Sequence, residues 1–206
     1  MNKKLIFLTF ILAIFSSVAA NAVVNATAVL DNCVNKLTAG KTLSADFVMT
    51  GGGRGTVRGK MIVSGNKYAM TSNVTSTWYD GKNQWTADHS LKEVNLFEPT
   101  ADEVAEANPF AIIKNYKKGF SSKLLTASGG VYSVQLTPNT KSAPFSKVVV
   151  TLSSSTYLPT KIVSTMRDGT VVTLSISNIK TGVNLQASQF VFNKKAYPGY
   201  SVIDLR

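Results

Sequence analysis

The chain has 206 residues, with 22 Lys and Arg against 11 Asp and Glu, a formal net charge of +11, one Cys and one His. A single Cys excludes a disulfide framework, and a single His excludes most metal sites and acid–base pairs that depend on imidazole. Such a charge balance would suggest nucleic acid in a cytoplasmic protein, but the basic residues are scattered rather than clustered with aromatics, and the first segment points to export.

Lys3 and Lys4, the apolar run Leu5 to Phe15, and Ala20-Asn21-Ala22 follow one another as the charged, apolar and cleavage regions of a secretory signal. The apolar run is little more than half the roughly 20 residues needed to cross a bilayer. Residues 1–22 are therefore expected to be cleaved, leaving residues 23–206 as a single periplasmic domain. Leu30-Asp31-Asn32 before Cys33 lacks the small residues of lipoprotein processing, so the mature chain is expected to carry no lipid anchor of its own.

Residues 26–38 read as an amphipathic helix, since Val29, Cys33 and Leu37 recur at helical spacing and Asp31, Asn35 and Lys36 lie elsewhere. Cys33 is thereby a small buried hydrophobe rather than a nucleophile. From Thr42 the period becomes two, with Leu43, Ala45, Phe47 and Met49 alternating with polar residues, as in a half-buried strand. The Gly51-Gly52-Gly53-Arg54-Gly55 stretch is followed by further strand and not by a helix, so it reads as a hairpin connection rather than a phosphate cradle.

Turn signals at Gly65-Asn66, Asp80-Gly81 and Asp88-His89-Ser90 divide the next stretch into short strands of a meandering antiparallel sheet. An even-numbered loop at Asp80-Gly81 would put Trp78 and Trp85 on one face, and a second even loop would add Val94 and Leu96. Thr100 and Glu103 have the form of a capping box, and Asn108-Pro109 that of a helix start, so helices are expected over 100–107 and 109–117. The second has an apolar side of Phe110, Ile113 and Tyr116. Strands resume over 120–127, 131–137, 147–152, 159–166 and 171–179, with an Asp168-Gly169 hairpin expected to pair Val163 with Leu174. Phe190 and Phe192 again alternate. The fold class is mainly β: about ten or eleven strands in one curled antiparallel sheet, an incomplete barrel with the N-terminal helix and two short helices on its concave side.

Catalytic equipment is not visible. His89 is expected in a solvated turn, no Gly-x-Ser-x-Gly elbow precedes a helix, and Glu98, Asp102, Glu103 and Glu106 sit where acidic groups complement a helix dipole. No spacing suggests zinc or calcium, so no enzyme activity, metal or cofactor is expected. A curled sheet with helices in its hollow instead provides an apolar pocket, and Met49, Met61 and Met70 supply adaptable side chains for it.

Five stretches in order resemble the periplasmic outer-membrane lipoprotein carriers of the LolA type. They are the helix after the signal segment, the strand Leu43-Ser44-Ala45-Asp46-Phe47, the hairpin Asp80-Gly81-Lys82-Asn83-Gln84-Trp85, the segment Ala107-Asn108-Pro109-Phe110, and the ending Phe190, Phe192, Tyr197-Pro198-Gly199-Tyr200-Ser201-Val202. The resemblance implies a carrier that receives lipoprotein acyl chains from an inner-membrane ABC exporter and hands them to an outer-membrane acceptor or membrane surface. It implies that Phe110 and the helix around it form a lid, with Trp85 in the sheet beside it; together with the strand pattern, the residues expected in the cavity and lid are Phe47, Met49, Met61, Met70, Trp78, Trp85, Val94, Leu96, Pro109, Phe110 and Ile113. A monomer without nucleic acid is expected. The family's latch arginine has no counterpart in Val63-Ser64-Gly65-Asn66-Lys67, where Lys67 or Arg58 would have to substitute. Two alternatives remain open: a lipid sensor docking on an envelope signalling protein, whose relatives usually carry a further C-terminal domain that this chain is expected to lack, and a carrier of another envelope lipid.

Overall fold

The computed structural model describes residues 24–53 and 55–206; the expected signal segment lies outside them. Helix α1 spans Ala26–Thr38 and begins at Asn25, whose side chain accepts from the Ala28 amide at 2.8 Å. Its apolar stripe, Val29, Leu30, Cys33 and Leu37, is fully buried. The first six strands are β1 (Thr42–Gly51), β2 (Val57–Ser64), β3 (Lys67–Ser72), β4 (Thr75–Tyr79), β5 (Gln84–Asp88) and β6 (Glu93–Phe97). Helices α2 (Ala101–Ala107), α3 (Pro109–Lys114) and α4 (Tyr116–Gly119) interrupt the sheet. It continues as β7 (Phe120–Ser128), β8 (Val131–Pro138), β9 (Phe145–Ser153), β10 (Pro159–Met166) and β11 (Val171–Thr181), and ends with β12 (Ser201–Asp204).

The twelve strands among the described residues belong to one sheet, in the order β12-β6-β5-β4-β3-β2-β1-β11-β10-β9-β8-β7. Every pairing is antiparallel except β12 beside β6. The edge strands β7 and β12 do not pair, so the barrel is incomplete. The strand count exceeds expectation because Ser201–Asp204 adds itself to the β6 edge. The alternating phenylalanines do not form a strand: Ala187–Phe190 is a single 3₁₀ turn.

Period-two burial separates the two faces of the sheet. On one face Leu43, Ala45, Phe47, Met61, Val63, Val134, Leu136, Val148, Val150, Ile162, Leu174 and Ile176 join α1, α3 and α4 in the main core. The β10–β11 register differs by one residue from the sequence expectation, with Ile162 opposite Leu174 and Val163 opposite Thr173. The connection there runs from Met166 to Thr170, five residues closed by the Met166 amide donating to the Thr170 carbonyl, and an odd loop shifts the pairing by one. On the other face of β3 to β6, a second core of Ala69, Trp78, Ala87 and Val94 receives Phe190 and the partly buried Phe192, Tyr197 and Tyr200.

Candidate ligand-binding site

The site is organised by the short helices. The Thr100 hydroxyl accepts from the Glu103 amide while Glu103 accepts from the Thr100 amide at 2.7 Å, a reciprocal cap that starts α2. The buried Asn108 side chain then accepts from the Phe110 amide at 3.0 Å, and Pro109 fixes the first turn of α3. These local devices turn a six-residue helix inward, so that Phe110, Ile112 and Ile113 are buried, Phe110 and Ile113 essentially completely.

Helix α3 fills the middle of the hollow and leaves a crevice on each flank. One, of about 310 Å³, is lined by Leu37, Leu43, Val63 and Phe110, with Lys41 and Lys114 at its edge. The other, of about 430 Å³, lies against Ala111, Ile112, Phe120, Pro138 and Phe145. Met49 borders a third recess of about 550 Å³ that shares Pro144 with the second. Ligand sites span roughly 300–1,000 Å³, so each crevice is at least as large as the smallest of these.

The plug is tied to α1 by polar contacts. The Tyr116 hydroxyl lies 2.8 Å from a carboxylate oxygen of Asp31 and 3.2 Å from the Thr27 carbonyl, and the Lys117 ammonium lies 2.7 Å from Asp31. The Lys117 and Tyr116 contacts hold the Asp31 carboxyl below its ordinary range, while burial and the neighbouring carboxylate push the Tyr116 phenol up. Burial lowers the pKa of Lys114 and pushes the Cys33 thiol up to about 12. Neither Lys67 nor Arg58 reaches the plug through a hydrogen bond of its side chain among the described residues; the Lys67 charge acts on Asp80, and Arg58 lies on the other face of β2. The tie to Asp31 escaped the sequence reading because its partners are 85 residues apart.

Phe47, Met61, Phe110 and Ile113 come together in the main core, and Met49 and Met70 lie against it. Pro109 opens α3 as expected. Trp78, Trp85, Val94 and Leu96 do form one wall, since Trp78 pairs with Trp85, Trp85 with Leu96, and Ala87 with Val94. That wall faces away from Phe110. Tyr68 pairs with Tyr79, and both tyrosines belong to the core under the helices, so strand alternation sends Trp78 to the opposite side. There it meets the rings of Phe192 and Tyr197 at centroid distances of 5.5 and 5.3 Å. His89, expected in solvent, instead joins this aromatic group: its Nε2 is 3.0 Å from the Ser76 hydroxyl and its Nδ1 2.9 Å from the Tyr200 hydroxyl.

The residues that sequence reasoning missed are Leu37, Leu43, Val63 and Ile112, which line the crevices, and Tyr68, whose hydroxyl donates to the buried Gln84 at 2.6 Å. Tracing the period-two pattern from Leu43 through the two-residue turn at Gly65-Asn66 would have found Val63 and Tyr68.

Comparison with known proteins places this architecture. A structure of an uncharacterized conserved protein from Thermus thermophilus superposes with a TM-score of 0.56 at 12% identity, over 86% of this chain and 98% of that one. A LolA superfamily protein from Nitrosomonas europaea gives 0.43 at 13% identity, over 82% and 98%. MucB in the Pseudomonas aeruginosa MucA/MucB complex gives 0.48 at 12%, over 82% and 61%. No curated protein matches the sequence significantly. The model of the family described as outer membrane lipoprotein carrier protein LolA matches residues 15–170, three quarters of the chain. The chain belongs to that family.

Proposed function

We propose that this protein is a periplasmic carrier that binds the acyl chains of lipoproteins inside its incomplete barrel and moves them from the inner to the outer membrane. The observation that carries the reading is α3, a capped six-residue helix that buries Phe110 and Ile113 between two apolar crevices of an open sheet. Withdrawal of α3 would join the crevices into one trough. Burying a methylene contributes about 0.8 kcal/mol, so a sixteen-carbon chain gains on the order of 10 kcal/mol on entering. Re-exposing Phe110 and Ile113 costs roughly 1.5–3 kcal/mol each. The ligand therefore outweighs the plug, and the plug returns part of that energy at release. Function is binding rather than catalysis, and transfer requires contact with an inner-membrane exporter and an outer-membrane acceptor.

Native mass spectrometry of the protein purified from its own periplasm tests this reading. Co-purified acylated protein is the expected result. Phe110→Glu should prevent loading, because it sets an unpaired carboxylate against the apolar surface that the acyl chain would occupy; normal loading of that variant would overturn the assignment of α3 as lid.

A further inference from the structure

The crevice beside Phe110 has an apolar floor and a basic rim. Leu37, Leu43, Val63 and Phe110 form the floor, and Lys41 and Lys114 stand at the opening. Lys114 follows Phe110 by four residues on α3, so the two side chains project to the same flank of the helix. Lys114 is half-buried, and among the described residues no carboxylate pairs with it. Asp31, the one acidic residue of α1, is engaged by Lys117 and Tyr116. Burial without a counter-charge accounts for the lowered pKa of Lys114.

Lys41 is fixed by its backbone. Its amide donates to the Thr38 carbonyl at 3.0 Å, its carbonyl accepts from Gly65 at 3.3 Å, and its φ of 59° holds it in the left-handed region, which a non-glycine residue adopts only under constraint. Among the described residues no acidic one lines the crevice. Two cations, one partly stripped of water, thus flank the mouth of an apolar slot. An anion seated there would supply the missing counter-charge while its hydrocarbon entered the slot.

We propose that this crevice binds a single-chain or glycerol-linked amphiphile with an anionic head, the acyl chain lying along Leu43, Val63 and Phe110 and a carboxylate or phosphate resting between Lys41 and Lys114. The proposal rests on the reading of this hollow as an acyl-chain carrier and adds to the lipoprotein chains a second cargo, a free lipid with a charged head: a neutral acylglycerol head would leave both ammonium groups without a partner. Phosphate and carboxylate share this chemistry, and they distinguish a phospholipid source from a free fatty acid.

The test measures binding of three ligands of equal chain length, below their micelle concentrations: a fatty acid, a monoacylglycerol phosphate and a monoacylglycerol. They are compared on the delipidated protein and on a Lys41→Met, Lys114→Met double variant, which keeps the apolar stems. The expected result is that at least one anionic ligand binds about tenfold tighter than the neutral one. The double variant should erase that preference while holding the neutral ligand as before, which also shows that it is folded. Tighter binding of the phosphate identifies a phospholipid head; tighter binding of the carboxylate identifies a fatty acid. Equal affinities in the unaltered protein, or a preference that survives in the double variant, would overturn the proposal and leave the carrier reading intact. Failure of all three ligands to bind would likewise overturn the proposal, while the co-purified acylated protein described above decides the carrier reading separately.

Discussion

Tyr116 donates its hydroxyl hydrogen to Asp31 across 2.8 Å, joining the turn after the plug to the helix beneath it. Lys117 adds an ammonium to the same carboxylate. The latch arginine that the family resemblance implies has no counterpart on the sheet, and this contact between α1 and α4 is of another kind, with an acid response set by a carboxylate. The folded Asp31 carboxyl lies below its ordinary value, so the contribution of the tie is complete above the usual carboxylate range and is lost as pH falls from there through the lowered folded value.

Protection of amides 109–119 against hydrogen exchange, corrected for intrinsic rate, should therefore drop between neutral pH and about pH 3. The Lys117–Asp31 ion pair is largely exposed, which limits its part of the effect to about 1 kcal/mol, a severalfold change. Asp31→Asn should show the lower protection at both pH values. Identical protection in the variant and the parent at pH 7 would show that the tie does not hold the plug.

Gly59 lies across from Phe47 in the β1–β2 pairing, and the Phe47 ring covers it. A Cβ at this position would sit 2.2 Å from the Thr71 carbonyl oxygen and 2.7 Å from the end of the Phe47 ring. Gly59→Val should then destabilise the fold by roughly 1–3 kcal/mol or more, since both the ring and the backbone must shift. Urea denaturation reads this as a lower midpoint, and an unchanged midpoint would contradict the described contact.

Because Trp78 lies under the C-terminal segment and away from the plug, Phe192→Ala should separate stability from binding. The lost ring contact at 5.5 Å costs roughly 2 kcal/mol, less than the 3–5 of a fully buried phenylalanine. Limited proteolysis should then cut residues 183–206 faster while acyl-ligand affinity stays within about twofold. A large loss of affinity would mean that the two faces are coupled.

Cys33 is inaccessible, and its thiol is pushed up to about 12 by burial. At pH 8 a thiol reagent should label it only through unfolding of α1 from the sheet, because the thiolate is the reactive form. Labelling that is fast in the native protein and insensitive to denaturant would refute the placement.

Much of this fold could be read in advance because each short strand carried its own alternation and each turn its own chemistry. The capping box at Thr100, the Asn108-Pro109 start and the pairing of Trp78 with Trp85 depend on residues close in sequence, and the structure has them as expected. The site was harder. Its wall depends on which way β4 faces, and that is settled by an unbroken chain of registers from Leu43 through Val63 and Tyr68 to Tyr79. Judged alone, the bulk of two tryptophans suggested the ligand side; judged through the chain, Tyr79 claims that side. The β10–β11 slip has the same origin, since one uncounted residue in a loop inverts a strand.

The unpaired borders of the sheet, β7 and β12, have a mechanical consequence. A closed ring of strands has its diameter fixed by strand number and stagger. A ring left unfastened has no set circumference, and its girth is determined by whatever stands inside. Here that is a phenylalanine and an isoleucine on a short helix; a bulkier guest could be accepted by spreading the walls without breaking a single ladder bond.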